Sequence, residues 1–105
     1  MDKRYSAAAG AAGTISIPVR PTGTRPWVVT QVSVELVAGS AAAVGAAATG
    51  MLRKNGAPVA PFVAHGDAVA GDPPIRLGTT DEMTIEWAGA NNGNIGVALL
   101  IYELG

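Results

Sequence analysis

Residues Met83-Thr84-Ile85-Glu86-Trp87 alternate apolar and polar side chains one by one. A strand puts successive side chains on opposite faces, so this pattern gives one dry face and one wet face, which a helix cannot do. An Asn91-Asn92-Gly93-Asn94 turn and a long apolar run over residues 95–104 come next. Strand, Asn/Gly turn and closing strand together are antiparallel β grammar.

The remainder of the chain fits the same grammar. Residues 14–19 place Ile15, Ile17 and Val19 on one face, and because Pro18 cannot donate to a ladder, either this strand is an edge or Pro18 points its missing N–H outward. Residues 27–37 form the strongest strand by β-branched content, with Val28, Thr30, Val32, Val34 and Leu36 on one face and Gln31, Ser33 and Glu35 on the other. The Ala/Gly segment 38–50 reads as a loop leading into a strand of small residues from about Gly45 to Arg53. Asn55-Gly56 is a hairpin turn, because both of its central positions need positive φ. The return strand, residues 57–64, is interrupted by Pro58 and Pro61 and is therefore another edge or an irregular strand. Residues 65–74 read as loop, 75–77 as a short strand, and 82–87 and 95–104 as the last two. About seven or eight short strands with regular turns specify an all-β domain, a single antiparallel β-sandwich or jelly-roll-like fold. Ile85, Trp87, Val32, Val34, Val97 and Leu99 are its expected core.

Residues 1–13 are nearly all Ala, Gly and charged or small polar residues. Such side chains bury too little area to offset the entropy of ordering them. The expected division is therefore an N-terminal arm, residues 1–13, and a β-sandwich domain, residues 14–105. The arm would reach onto a neighbouring subunit, with Tyr5 as anchor and Lys3 and Arg4 meeting carboxylates of the partner.

Composition excludes several functions. At 105 residues the chain is of single-domain size. Seven scattered Lys and Arg in a net charge of −1 do not form the clustered cations that phosphate neutralisation needs, so no nucleic-acid partner is expected. The absence of Cys removes disulfides and thiolate-ligated zinc. Met1-Asp2-Lys3-Arg4 before an Ala/Gly run mimics a signal peptide but lacks a Leu-type hydrophobic centre. Residues 36–52 are uncharged, yet Ala, Gly, Ser and Thr contribute little to bilayer insertion, so a soluble protein with no membrane partner is expected.

No catalytic residue, cofactor site or metal site is expected. His65 is the sole histidine, flanked by Gly66 and Asp67 in a loop, and no Gly-x-Ser-x-Gly elbow accompanies it. Asp67, Asp72, Asp81 and Glu82 could offer oxygens to calcium, but their spacing matches no calcium loop. Glu35, Glu86 and Glu103 could be imagined as a glycosidase pair, and charges on the wet face of a sheet explain them as well. Gly10 and Gly13 lack the Gly-Lys-Ser/Thr of a phosphate loop. A carbohydrate-binding module would need an exposed ring platform involving Trp27, Phe62 or Tyr102, whereas Trp87 reads as core.

Four motifs carry a family resemblance. They are Trp-x-Val-x-x-Val-x-Val (Trp27, Val29, Val32, Val34), Arg-x-Asn-Gly (Arg53, Asn55, Gly56), Gly-Asp-Pro-Pro-Ile-Arg-Leu (residues 71–77) and Thr-x-x-Trp-x-Gly-Ala (Thr84, Trp87, Gly89, Ala90). Over residues 24–104 the chain resembles small β-sandwich virion proteins of tailed phages of actinobacteria. That resemblance implies a structural virion protein made in the host cytoplasm and no enzyme. Low positive charge suits the outside of a capsid, away from packaged DNA. The leading expectation is a capsid decoration (cementing) protein, a homo-oligomer taken as a trimer, partnered by the major capsid protein or another virion protein. A tail, collar or fibre-associated protein and a carbohydrate-binding module are the alternatives.

Overall fold

A computed structural model describes residues 1–63 and 68–105, the side chains of 68–73 excepted. The described residues contain no helix. Eight strands follow in order: β1 (Asp2–Ala8), β2 (Ile15–Val19), β3 (Trp27–Val37), β4 (Thr49–Lys54), β5 (Ala57–Val63), β6 (Ala68–Leu77), β7 (Met83–Ala88) and β8 (Ile95–Leu104). They form two antiparallel sheets, β1-β8-β3-β6 (sheet A) and β2-β7-β4-β5 (sheet B), which pack into a β-sandwich.

The pairing has a simple logic. β4 pairs with β5, β3 with β6, β2 with β7 and β1 with β8, so the chain is one long antiparallel ribbon doubled back at Asn55-Gly56. Rolling that ribbon adds the β3–β8 and β4–β7 pairings and closes the sandwich. This is the connectivity of a jelly roll. At the doubling point Asn55 has φ 50° and Gly56 φ 83°, the left-handed pair that a two-residue hairpin requires. The prolines respect the ladder: Pro18 lies in β2, Pro58 and Pro61 in β5, Pro73 and Pro74 in β6, and all three strands are sheet edges.

Residues 1–13 are not a separate arm. Asp2 to Ala8 pair in register with Ile101 to Ile95 of β8, which makes β1 an edge strand of sheet A. Backbone hydrogen bonds supply what the small side chains cannot. The Met1 nitrogen donates to the Tyr102 carbonyl at 3.0 Å, the Tyr102 N–H returns to Met1 at 2.9 Å, and the Ala9 N–H reaches Asn94 O at 2.7 Å. The domain therefore starts at the first strand rather than at residue 14. Residues 68–74, expected as loop, are also strand: they belong to β6, and its register with β3 jumps from Val29↔Ile75 to Gln31↔Ala70.

Two strands bury a different row from the one their patterning indicates. In β3 the register slips between Val29 and Gln31, so Trp27 and Val29 point inward before the slip and Val32, Val34 and Leu36 after it. Thr30 sits in this bulge, and its hydroxyl donates to the Ile101 carbonyl at 3.2 Å. Val28 and Thr30 consequently leave the core face. In β8 the buried row is Gly96, Ala98, Leu100 and Tyr102, while the larger apolar row Ile95, Val97, Leu99 and Ile101 faces outward. Val97 and Leu99 are therefore not core residues, whereas Ile85, Trp87, Val32 and Val34 are.

Volume explains the choice in β8. Trp87 is 1% exposed, meets the Phe62 ring edge-on at 5.4 Å and lies flat against Gly96. A Cβ at Gly96 would come within 2.8 Å of the indole Cζ3. The indole occupies the space a side chain there would need, so β8 must offer its smallest residue at that level.

Gly96→Ala should accordingly lower stability by about 1–3 kcal/mol through overpacking, despite the usual strand gain over glycine. Gly10→Ala, where an added Cβ meets nothing within 4 Å, serves as the neutral control. Urea unfolding followed by tryptophan fluorescence measures both.

Candidate functional site

The three residues expected to make assembly contacts fall on two faces of β1. Lys3 and Tyr5 point toward their own core and Arg4 points out, as the exposed/half-buried alternation along β1 shows. The Lys3 ammonium stands 5.6 Å from the centroid of Trp27, and Trp27 stacks on Tyr102 with centroids 4.0 Å apart and planes 21° from parallel. Such a column combines cation–π and ring stacking at one end of sheet A. Tyr5 packs against the core, and burial, then the nearby Tyr102, pushes its hydroxyl pKa upward. Lys3 and Tyr5 are thus intramolecular contacts; of the three, Arg4 remains directed to solvent.

Arg4 borders an apolar surface. On the outer face of sheet A, Ile95, Val97, Leu99 and Ile101 form a row along β8, with Leu99 39% exposed. Register places Asp2, Arg4, Ser6 and Ala8 along one side and Gln31, Ser33, Glu35 and Val37 along the other. A solvated sheet face ordinarily carries polar residues at these positions.

Outside that row, several described charged side chains brace turns and strands. Arg20 Nε meets Glu82 Oε2 at 2.8 Å, and Arg53 Nε meets Glu86 Oε2 at 3.0 Å. Asp81 accepts from Asn55 Nδ2 at 2.9 Å and from the Gly78 N–H at 2.8 Å, with Lys54 Nζ at 3.9 Å. The Asn55 bond first, then Gly78 and Lys54, hold its carboxyl pKa below the ordinary aspartate value. Asn55 also exchanges bonds with Glu82, donating its N–H to the carbonyl at 2.8 Å and accepting the Glu82 N–H on Oδ1 at 2.9 Å. The Arg53-x-Asn55-Gly56 motif is therefore a turn locked onto the start of β7.

Among the described residues, the constellations the sequence suggested stay apart. Glu86 lies on sheet B, across the core from Glu35 and Glu103 on sheet A, and register sets Glu35 beside Val97, six residues or about 20 Å along β8 from Glu103, so no glycosidase pair forms from them. His65 and Asp67 lie outside the described residues, as does the Asp72 side chain. Among the described residues no three His, Cys, Asp or Glu side chains group as metal ligands, and no helix is long and apolar enough to cross a membrane. Trp27, Phe62 and Tyr102 are all buried, so they offer no ring platform to a sugar. An open depression of about 430 Å3 lies on the outer face of sheet B, where Arg53 is already engaged by Glu86 and by the Gly56 carbonyl.

One residue with a large structural role carries no sequence signal. Asn94 is fully buried and uses its whole side-chain amide. Its Oδ1 accepts from the N–H groups of Gly45 (3.1 Å) and Asn91 (2.9 Å), and its Nδ2 donates to the carbonyls of Ala38 and Ala43 (3.0 Å each). The loop before β4 and the turn before β8 are thereby tied together. In sequence, Asn94 is indistinguishable from its turn neighbours Asn91 and Asn92.

Neither a protein-family model nor a curated protein matches this chain.

Asn94→Ala should destabilise the domain by about 3 kcal/mol or more, since each buried partner left without a bond costs about 1–3 kcal/mol. Asn94→Asp should also destabilise, because a carboxylate oxygen would face the Ala38 and Ala43 carbonyls. Urea midpoints of the two variants check this.

Proposed function

We propose that this chain is a structural virion protein, a capsid decoration protein that stabilises a phage head. Its partners would be the major capsid protein and further copies of itself, and its place the surface of the virion. The observation that carries the reading is the outward row Ile95, Val97, Leu99 and Ile101, an apolar surface on a small, heavily hydrogen-bonded sandwich. Apolar rows of this kind are covered by protein in working assemblies. The motifs that resemble phage virion proteins support it further, since Trp27, Trp87, Asn55 and Gly56 act here as core and turn residues, as befits a scaffold. Low net charge suits a shell exterior. A tail or collar position would use the same kind of surface.

Heads of the encoding phage, assembled without this protein, provide the test. Purified protein mixed with them should co-sediment through a sucrose gradient and raise their resistance to heat. Protein that stays at the top of the gradient contradicts the proposal, and co-sedimentation with isolated tails in place of heads selects the tail reading.

A further inference from the structure

We infer that the outer face of sheet A is a self-association surface, covered by a second copy of this chain about a two-fold axis parallel to β8. It rests on the same outward row as the proposed function and specifies its self-copy partner; the test uses the isolated chain, so its failure leaves the head-binding test standing.

The argument begins with what β8 gives up. Trp87 forces Gly96 inward, and the strand alternation then sends Ile95, Val97, Leu99 and Ile101 outward, so the bulkier apolar row lies on the wet face. Water contact with this row is unfavourable by about 25 cal/mol per Å2 of apolar area. A partner that covers it recovers that free energy.

The flanking charges identify the partner. Register across β1, β8 and β3 gives four rows: Asp2–Ile101–Gln31, Arg4–Leu99–Ser33, Ser6–Val97–Glu35 and Ala8–Ile95–Val37. A two-fold axis along β8 sets the β1 side of one copy over the β3 side of the other, row by row. Asp2 then meets the Gln31 amide of the second copy, and Ser6 meets its Glu35. Arg4 faces Ser33 and lies one row, about 7 Å along the strand, from the same Glu35, within reach of a guanidinium. Ala8 lies over Val37, and the central Leu99, Val97 and isoleucines pack on their own equivalents. Because the contact is isologous, every pairing occurs twice.

The other in-plane axis, across the strands, fails this test. It sets Arg4 over Ser6, Glu35 over Ser33 and Asp2 over Ala8, leaving all three charges without an opposite partner.

Area sets the strength. The ridge and its flanks span about 20 Å by about 20 Å, on the order of 400 Å2 per copy and 800 Å2 in all. That is about half a standard interface, so the dimer is weak in solution and gains from repetition in an array.

Sedimentation equilibrium of the full chain from about 10 μM to about 1 mM tests the inference. Wild type should pass from monomer to dimer across that range. Arg4→Glu and Glu35→Arg should each raise the dissociation constant at least about tenfold by opposing like charges, and the double variant R4E/E35R should restore it to within about threefold. All positions are solvent-facing, and circular dichroism confirms that each variant is folded. A wild-type chain that stays monomeric to about 1 mM, a concentration-dependent trimer, or single variants that associate as wild type does would each overturn the inference. So would a double variant no better than the singles.

Discussion

The contact between the Trp87 indole and the backbone of Gly96 fixes the rest of the structure. It joins the two sheets at a point where no side chain fits on β8, and so sets which row of that strand faces in. With Gly96 inward, Ala98, Leu100 and Tyr102 follow at period two, and Tyr102 arrives under Trp27 to form the stack at the other end of the sheet. Two residues earlier the same phase carries Asn94 inside, where its amide holds the loop that leads into β4. The opposite row is carried to the surface by the same choice. One packing constraint therefore accounts for a buried polar hub and an exposed apolar ridge, features that would otherwise need separate explanations.

Much of the fold was legible in the sequence because it rests on local rules. Alternation over residues 83–87, Asn55-Gly56 as a hairpin and proline as an edge marker each report backbone geometry directly, and each is found in place. What was not legible depends on volume and on pairing. Hydrophobicity favours Val97 and Leu99 as core, but the space opposite them belongs to Trp87, which lies elsewhere in the sequence. The bulge at Thr30 reverses the phase of β3, and nothing in a β-branched run announces one extra residue. β1 is a strand because β8 offers it a ladder; its Ala and Gly side chains contain no record of that. Among the candidate site residues, Arg4 keeps an outward role, whereas Lys3 and Tyr5 are held by Trp27 and the core.

Several acidic groups of the described residues brace turns and ladders. Asp81, Glu82 and Glu86 are each committed to a neighbour in a turn or across a ladder, and such bonds fix geometry while adding little net stability at an exposed site. Stability instead comes from the two tryptophans and the aliphatic layer between the sheets. The apolar row of β8 lies apart from these bonds, on the outer face of sheet A.

The phase of β8 is the claim on which this account rests, and cysteine accessibility reads it directly, because the chain has no native Cys. Leu99→Cys and Leu100→Cys place a thiol on adjacent residues of one strand. At about 1 μM, well below the concentration at which copies associate, a maleimide should modify Leu99→Cys at nearly the rate of a free thiol. Leu100→Cys should react only as fast as the domain unfolds. Rapid labelling at position 100 with protection at position 99 would contradict the account.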